Sequence, residues 1–131
     1  MLHAEMQNNW GYVRLYKETK KQAIGEMKHA EEIIERILFL EGMPDLNALP
    51  KLTIGKDVRQ QLKNDLDLEK GAVQSYNAAV ATARKAADNA SADLFEKLLK
   101  DEEEHVDYLE TQLSLIEQLG LENYLAQQMH E

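Results

Sequence analysis

Both prolines of this 131-residue chain, Pro44 and Pro50, fall within one sixteen-residue stretch from Glu41 to Lys56. Proline removes a backbone donor and its ring clashes with the preceding turn, so no helix runs through that stretch. Elsewhere the chain has little to stop a helix: it is poor in β-branched runs and rich in Leu, Ala, Glu, Lys and Gln. The remaining breakers are Trp10-Gly11, a soft spot at Asp88-Asn89, and Gly120. They predict an all-α chain with helices at 1–9, 12–40, 57–87, 90–119 and 122–130.

The 41–56 connection is long, since helices in bundles are usually joined by two to eight residues. Sixteen extended residues reach roughly 50 Å, and a 29-residue helix is only about 43 Å long. The connection is therefore expected to cross a four-helix bundle from end to end, with 122–130 left as a short fifth helix. With 44% apolar and 30% charged residues, the chain is expected to form one domain spanning 1–131.

Charge and cysteine content narrow the function classes. There is no cysteine, which removes disulfides, thiolate metal sites and cysteine nucleophiles and suits a reducing, cytoplasmic setting. A net charge of −9, from 24 acids against 15 bases, argues against nucleic acid or an anionic membrane as the partner and favours cations. The start MLHAEMQNNW lacks the basic and apolar regions of an export signal, and no stretch approaches the roughly 18 apolar residues of a membrane span.

Chemistry enters where acids interrupt apolar stripes. At steps of three and four, the second helix reads Ala23, Glu26, Ala30, Ile33, Ile37. The third reads Leu62, Leu66, Glu69, Val73, Tyr76, Val80, and the fourth Leu94, Leu98, Glu102, His105, Leu109, Leu113. A buried carboxylate costs several kcal/mol unless paired or bound to a cation, and converging ones also repel each other. A metal removes both penalties.

His29 follows Glu26 by three residues and His105 follows Glu102 by three, placing each pair on one helical face. With 16 Glu in 131 residues, a given His has roughly one chance in eight of such a Glu by composition alone. One pair therefore means little, and it is two pairs plus Glu69, all inside matched stripes, that point to a di-metal carboxylate site. Oxygen and nitrogen donors without sulfur suit Fe, Mn or Zn, and bridging carboxylates suit paired irons best. The implied chemistry is oxidation of Fe(II) by dioxygen or peroxide.

Two runs then carry a family signature. GEMKHAEEIIERILFLEGMPDLNALPKLTIGKDV, Gly25 to Val58, and DEEEHVDYLETQLSLIEQLGLENYL, Asp101 to Leu125, closely resemble the bacterioferritin family. That resemblance implies a ferritin-like four-helix bundle that stores iron, assembled as a homo-oligomeric shell of twenty-four subunits with haem b shared across twofold dimers. It implies di-iron ligands Glu26, His29, Glu69, Glu102 and His105, the five residues chosen by periodicity, and Met27 as the haem-iron ligand. A ferredoxin-type electron donor is the family expectation for iron release. Met27 sits off the acid-bearing stripe, beside Ile24, Ile34 and Leu38 on a second apolar face, as a twofold contact with paired thioethers requires.

The chain also departs from the family pattern. A complete site takes one more Glu from the first helix, and by antiparallel register it would stand near position −5, which excludes Glu5. Met1 thus reads as mid-helix, with about 25 family residues expected upstream. On that reading the alternative to a ferroxidase is a truncated haem-binding shell subunit with impaired oxidation. Lys21 and Gly25 stand where some members carry a His and an Asp for an accessory iron, so that site is expected to be absent.

Two other ferritin-like classes fit less well. Mini-ferritins hold iron between subunits and lack a fifth helix, and an oxygenase would need a substrate pocket. His3 and His130 read as surface residues, with lining a shell pore as the alternative, Lys17, Lys20 and Lys21 as a solvated face, and Tyr108, one turn from His105, equally as a support for the site or a packing residue.

Overall fold

A computed structural model describes residues 1–45, 47 and 51–131. Among these the chain is all-α, with α1 Leu2–Asn9, α2 Val13–Phe39, α3 Val58–Lys85, α4 Asn89–Leu119 and α5 Leu121–Gln128. Each helix boundary lies within two residues of its expected position. The expected crossover includes residues 46 and 48–50, which lie outside the described residues. No helix among the described residues is long and apolar enough to cross a membrane. The chain divides into two compact units, Met1–Ile54 with Gln128–Glu131, and Gly55–Gln127.

In the first unit α1 packs against α2. The turn between them is closed by Gly11 donating to the Asn8 carbonyl (3.0 Å) and Tyr12 to that of Gln7 (2.9 Å). Gly11 takes φ +86°, where a side chain would be strained, which is why glycine ends this helix. Two of the three lysines expected to be simply solvated have partners. Lys17 pairs with Glu131, and Lys20 donates to the Tyr16 hydroxyl at 2.8 Å and lies 3.5 Å from Glu5. The Tyr16 hydrogen bond, with help from Glu5, holds the Lys20 ammonium above its ordinary pKa of 10.5.

The buried stripe of α2 is turned slightly from the expected one. Leu15 and His29 are buried, Glu26, Ile33 and Ile37 are half-buried, and Ala30 is exposed. Counting 100° per residue, Leu15, Ile33, Glu26 and His29 cluster within about 60°, with Ala30 on the flank of that arc. A small apolar side chain gives a weak signal for facing; a histidine one position earlier outweighs it here.

The second unit is built on α3 and α4, which pack along one another. Asp57 opens α3 by accepting from the Gln60 amide (2.9 Å), and Asp88 opens α4 by accepting from Ser91 N (3.1 Å). The soft spot at Asp88-Asn89 is thus a helix N-cap. Just before α3, a Cβ on Gly55 would stand 2.5 Å from Gln61 N, so the chain can approach its own helix only through glycine. Ala87 occupies the left-handed region (φ 56°) in the α3–α4 turn, and Arg84 clasps that corner by donating to Glu96 (2.8 Å) and Asn89 (3.3 Å).

The core of this unit is Val58, Leu62, Leu66, Ala83, Ala92, Leu98, Leu109 and Ile116, all buried. Buried Ala83 and Ala92 let the helices approach closely near the turn, as the Ala-rich run from Ala78 to Ala92 suggests. At the other end Gly120 (φ 82°) turns the chain into α5. There the buried Tyr124 donates its hydroxyl to Gln112 at 2.7 Å.

Candidate metal centre

Three acids occur in a row at Glu102, Glu103 and Glu104, and helix geometry admits one of them to the interior. Glu102 is the one, fully buried at 0% exposure, while its two neighbours are exposed. Four residues before it Leu98 is buried and seven after it so is Leu109, which anchors that face of α4 against α3. On α3 the same packing sets Glu69 opposite, one turn beyond buried Leu66.

The result is a cluster inside the second unit. His105 Nδ1 lies 3.5 Å from Glu102 Oε2 and 3.7 Å from Glu69 Oε2. Side-chain exposures are 17% for His105, 12% for Glu69 and 0% for Glu102. Each of the three offers a ligand atom within 4.8 Å of the others, the spacing at which one cation reaches all of them. Glu69 Oε2 is buried with no hydrogen-bond donor to it among the described residues. Two carboxylates on one imidazole leave negative charge in a dehydrated place, which is the condition a cation relieves.

Of the sequence-predicted ligands, Glu69, Glu102 and His105 therefore converge in one unit. Glu26 and His29 are the matching pair on α2: His29 Nδ1 stands 3.7 Å from Glu26 Oε2, with His29 9% and Glu26 40% exposed. Met27 is 54% exposed, and Ile24 (38%) and Leu38 (51%) share its face of α2. A thioether on an open apolar face suits a flat apolar group with a soft axial demand, so the residues present fit a haem. Glu5, not expected to be a ligand, stands 3.5 Å from Lys20 Nζ. Tyr108 is half-buried and His130 exposed.

One feature was not legible beforehand. A solvent-open groove of about 460 Å³ lies between α3 and α4, lined by Lys70, Val73, Gln74, Glu103, Val106, Asp107 and Glu110. Lys70, Glu103 and Val106 each follow a residue of the cluster directly in sequence. The signal was an exposed acid row on α4 at steps of four and three, which reads equally well as a solvated face.

An all-α chain whose helices carry Glu-x-x-His pairs defines a ferritin-like class, and the profile of the ferritin-like domain matches residues 1–130. The chain is 44% identical over 126 residues to the bacterioferritin of Mycobacterium avium, covering 96% of this chain and 79% of that one. It is 44% identical over 123 residues to the bacterioferritin of Brucella melitensis (94% and 76%), and 42% identical over 123 residues to that of Rhodobacter capsulatus (94% and 76%). The chain belongs to the bacterioferritin family.

Proposed function

We propose that this protein stores iron, oxidising Fe(II) at a di-iron carboxylate site and depositing the ferric product inside a shell of identical subunits. The observation that carries the reading is the buried cluster of Glu69, Glu102 and His105, whose charge calls for a cation. Family membership supports the same reading, and Glu26 and His29, on the face of α2 predicted to bear ligands, complete the proposed set. The shell is read as twenty-four subunits paired on twofold axes, working in the cytoplasm with a ferredoxin-type electron donor.

In this mechanism Fe(II) is the substrate. The glutamates supply the negative charge that favours Fe(III) over Fe(II), so binding itself pulls the metal toward oxidation. The histidines are neutral donors that suit both states. Each of two Fe(II) ions gives up one electron, and dioxygen takes the pair together with two protons to become hydrogen peroxide; with peroxide as oxidant, the products are two waters. The near-dry surroundings of Glu102 hold its carboxylate in one orientation through the cycle. Met27 would hold the iron of a haem shared by two subunits, which supplies a one-electron path for reducing stored iron.

Stopped-flow oxidation of anaerobically added Fe(II) tests the proposal. Wild type should oxidise about two Fe(II) per subunit in a fast phase, and Glu69→Ala should slow it about a hundredfold. A variant as fast as wild type would remove the cluster from the reaction.

A further inference from the structure

The run of acid and imidazole on α2 continues past His29. Glu32 follows it by three positions, so Glu26, His29 and Glu32 descend one side of the helix at i, i+3 and i+6. Glu32 is half-buried, and its Oε2 is wholly buried. Placing a carboxylate there is costly, and the oxidation chemistry gives it no task. The matching position on α4, three beyond His105, is the half-buried Tyr108.

His29 supplies the need. It is buried, and its Nδ1 faces Glu26 Oε2, which makes Nδ1 the nitrogen placed to share a cation with that carboxylate. A ring that offers Nδ1 to a metal carries its proton on Nε2, and a buried N–H calls for an acceptor. The α2 residues one turn from His29 are Gly25, Glu26, Glu32 and Ile33, and only the two glutamates have polar side chains. Glu26 faces the other nitrogen, which leaves Glu32. Helical side chains lean toward the N-terminus, so Glu32 reaches back over His29 as His29 reaches back toward Glu26. No competitor comes from α1: Glu5 lies beside Lys20, and in antiparallel register the four residues before it end near Ile24, more than a turn short of His29.

Resting on the di-iron reading above, we propose that the Glu32 carboxylate accepts the Nε2–H of His29 and so fixes the tautomer and ring plane with which Nδ1 meets the metal. Glu32 is a positioning residue that touches no metal, and its effect passes through His29. A carboxylate behind the ring also strengthens its donation, whereas His105 has a neutral phenol at the matching place. The two Glu-x-x-His pairs therefore differ in what backs the histidine.

The probe is Zn²⁺, which takes carboxylate and imidazole donors and undergoes no redox change. In calorimetric titration of the metal-free full chain, Glu32→Ala should weaken Zn²⁺ binding about tenfold relative to wild type. Glu32→Gln, which keeps an acceptor of the same shape, should recover much of that loss. The decisive comparison is made without the histidine: in a His29→Ala background, Glu32→Ala should cost nothing further. An equal loss with and without His29 would mean that Glu32 attracts the cation only as a charge. No loss in Glu32→Ala would take it out of the site. Either result overturns the proposal while the metal reading stands. If wild type binds no Zn²⁺, or His29→Ala binds it as tightly as wild type, the di-iron reading fails at α2 and the role of Glu32 fails with it.

Discussion

The α1–α2 unit and the α3–α4 unit carry the same kind of residues and treat them differently. Both α3 and α4 open on an aspartate whose side chain caps the first turn, whereas α1 and α2 open at Met1 and Tyr12 with no side-chain cap. The α3–α4 pair buries leucines on both sides of its acids; α2 leaves Ile24, Met27, Leu38 and Phe39 exposed, Phe39 at 73%. Its Glu-x-x-His pair is open on one side only, with His29 buried and Glu26 40% exposed against 0% for Glu102. One unit is thus organised around holding charge in a dry place. The other keeps apolar surface available, as a helix that serves a second partner must.

Truncation within the two surfaces gives the largest contrast. Leu98→Ala on α4, fully buried, should destabilise by about 2–5 kcal/mol, whereas Met27→Ala should stay within about 0.5 kcal/mol in metal-free, haem-free protein. Denaturant unfolding measures both, and similar losses would erase the distinction between the two faces.

A second test exchanges function for stability. Glu102→Leu replaces a buried carboxylate with an apolar side chain of similar size and relieves its repulsion with Glu69, which still faces His105, so the metal-free protein should gain stability while fast Fe(II) oxidation is lost. Thermal melts with and without added Zn²⁺ sharpen this: wild type should rise with Zn²⁺, and the variant should not. A destabilised Glu102→Leu would mean that the carboxylate is held by hydrogen bonds worth more than its burial costs.

Smaller still is the cap. Asp88→Ala should cost about 1 kcal/mol by removing the acceptor for Ser91 N, with no comparable position to lose at the start of α2. Circular dichroism melts of the variant would detect it.

The smallest effect lies in the α1–α2 unit. Because Lys20 titrates above 10.5 in the folded chain, its contribution is fully present below that pH and fades as pH rises through the raised value. Lys20 is 39% exposed, so solvent screens the interaction, and the alkaline loss should be slight. Lys20→Met should flatten that part of a stability-against-pH curve; an unchanged curve would mean that Tyr16 and Glu5 contribute nothing to folding.

What the sequence alone determined follows from short-range physics. Proline, glycine and the Asp88-Asn89 step set the helix limits to within two residues, because a missing donor, a left-handed turn or a capping side chain acts within a few residues of itself. The i, i+3 spacing set Glu102 beside His105 and Glu26 beside His29, since both members of a pair ride on one rigid helix. Family motifs added Met27. Tertiary structure decided which positions each stripe buries: His29 rather than Ala30, and full burial for Glu102 but not for Glu26. It also brought Glu69 to His105, which lie 36 residues apart and meet only because α3 packs on α4. Periodicity gives a face to within about a residue, whereas burial depends on how closely a neighbouring helix approaches, and that is settled by packing across many residues at once.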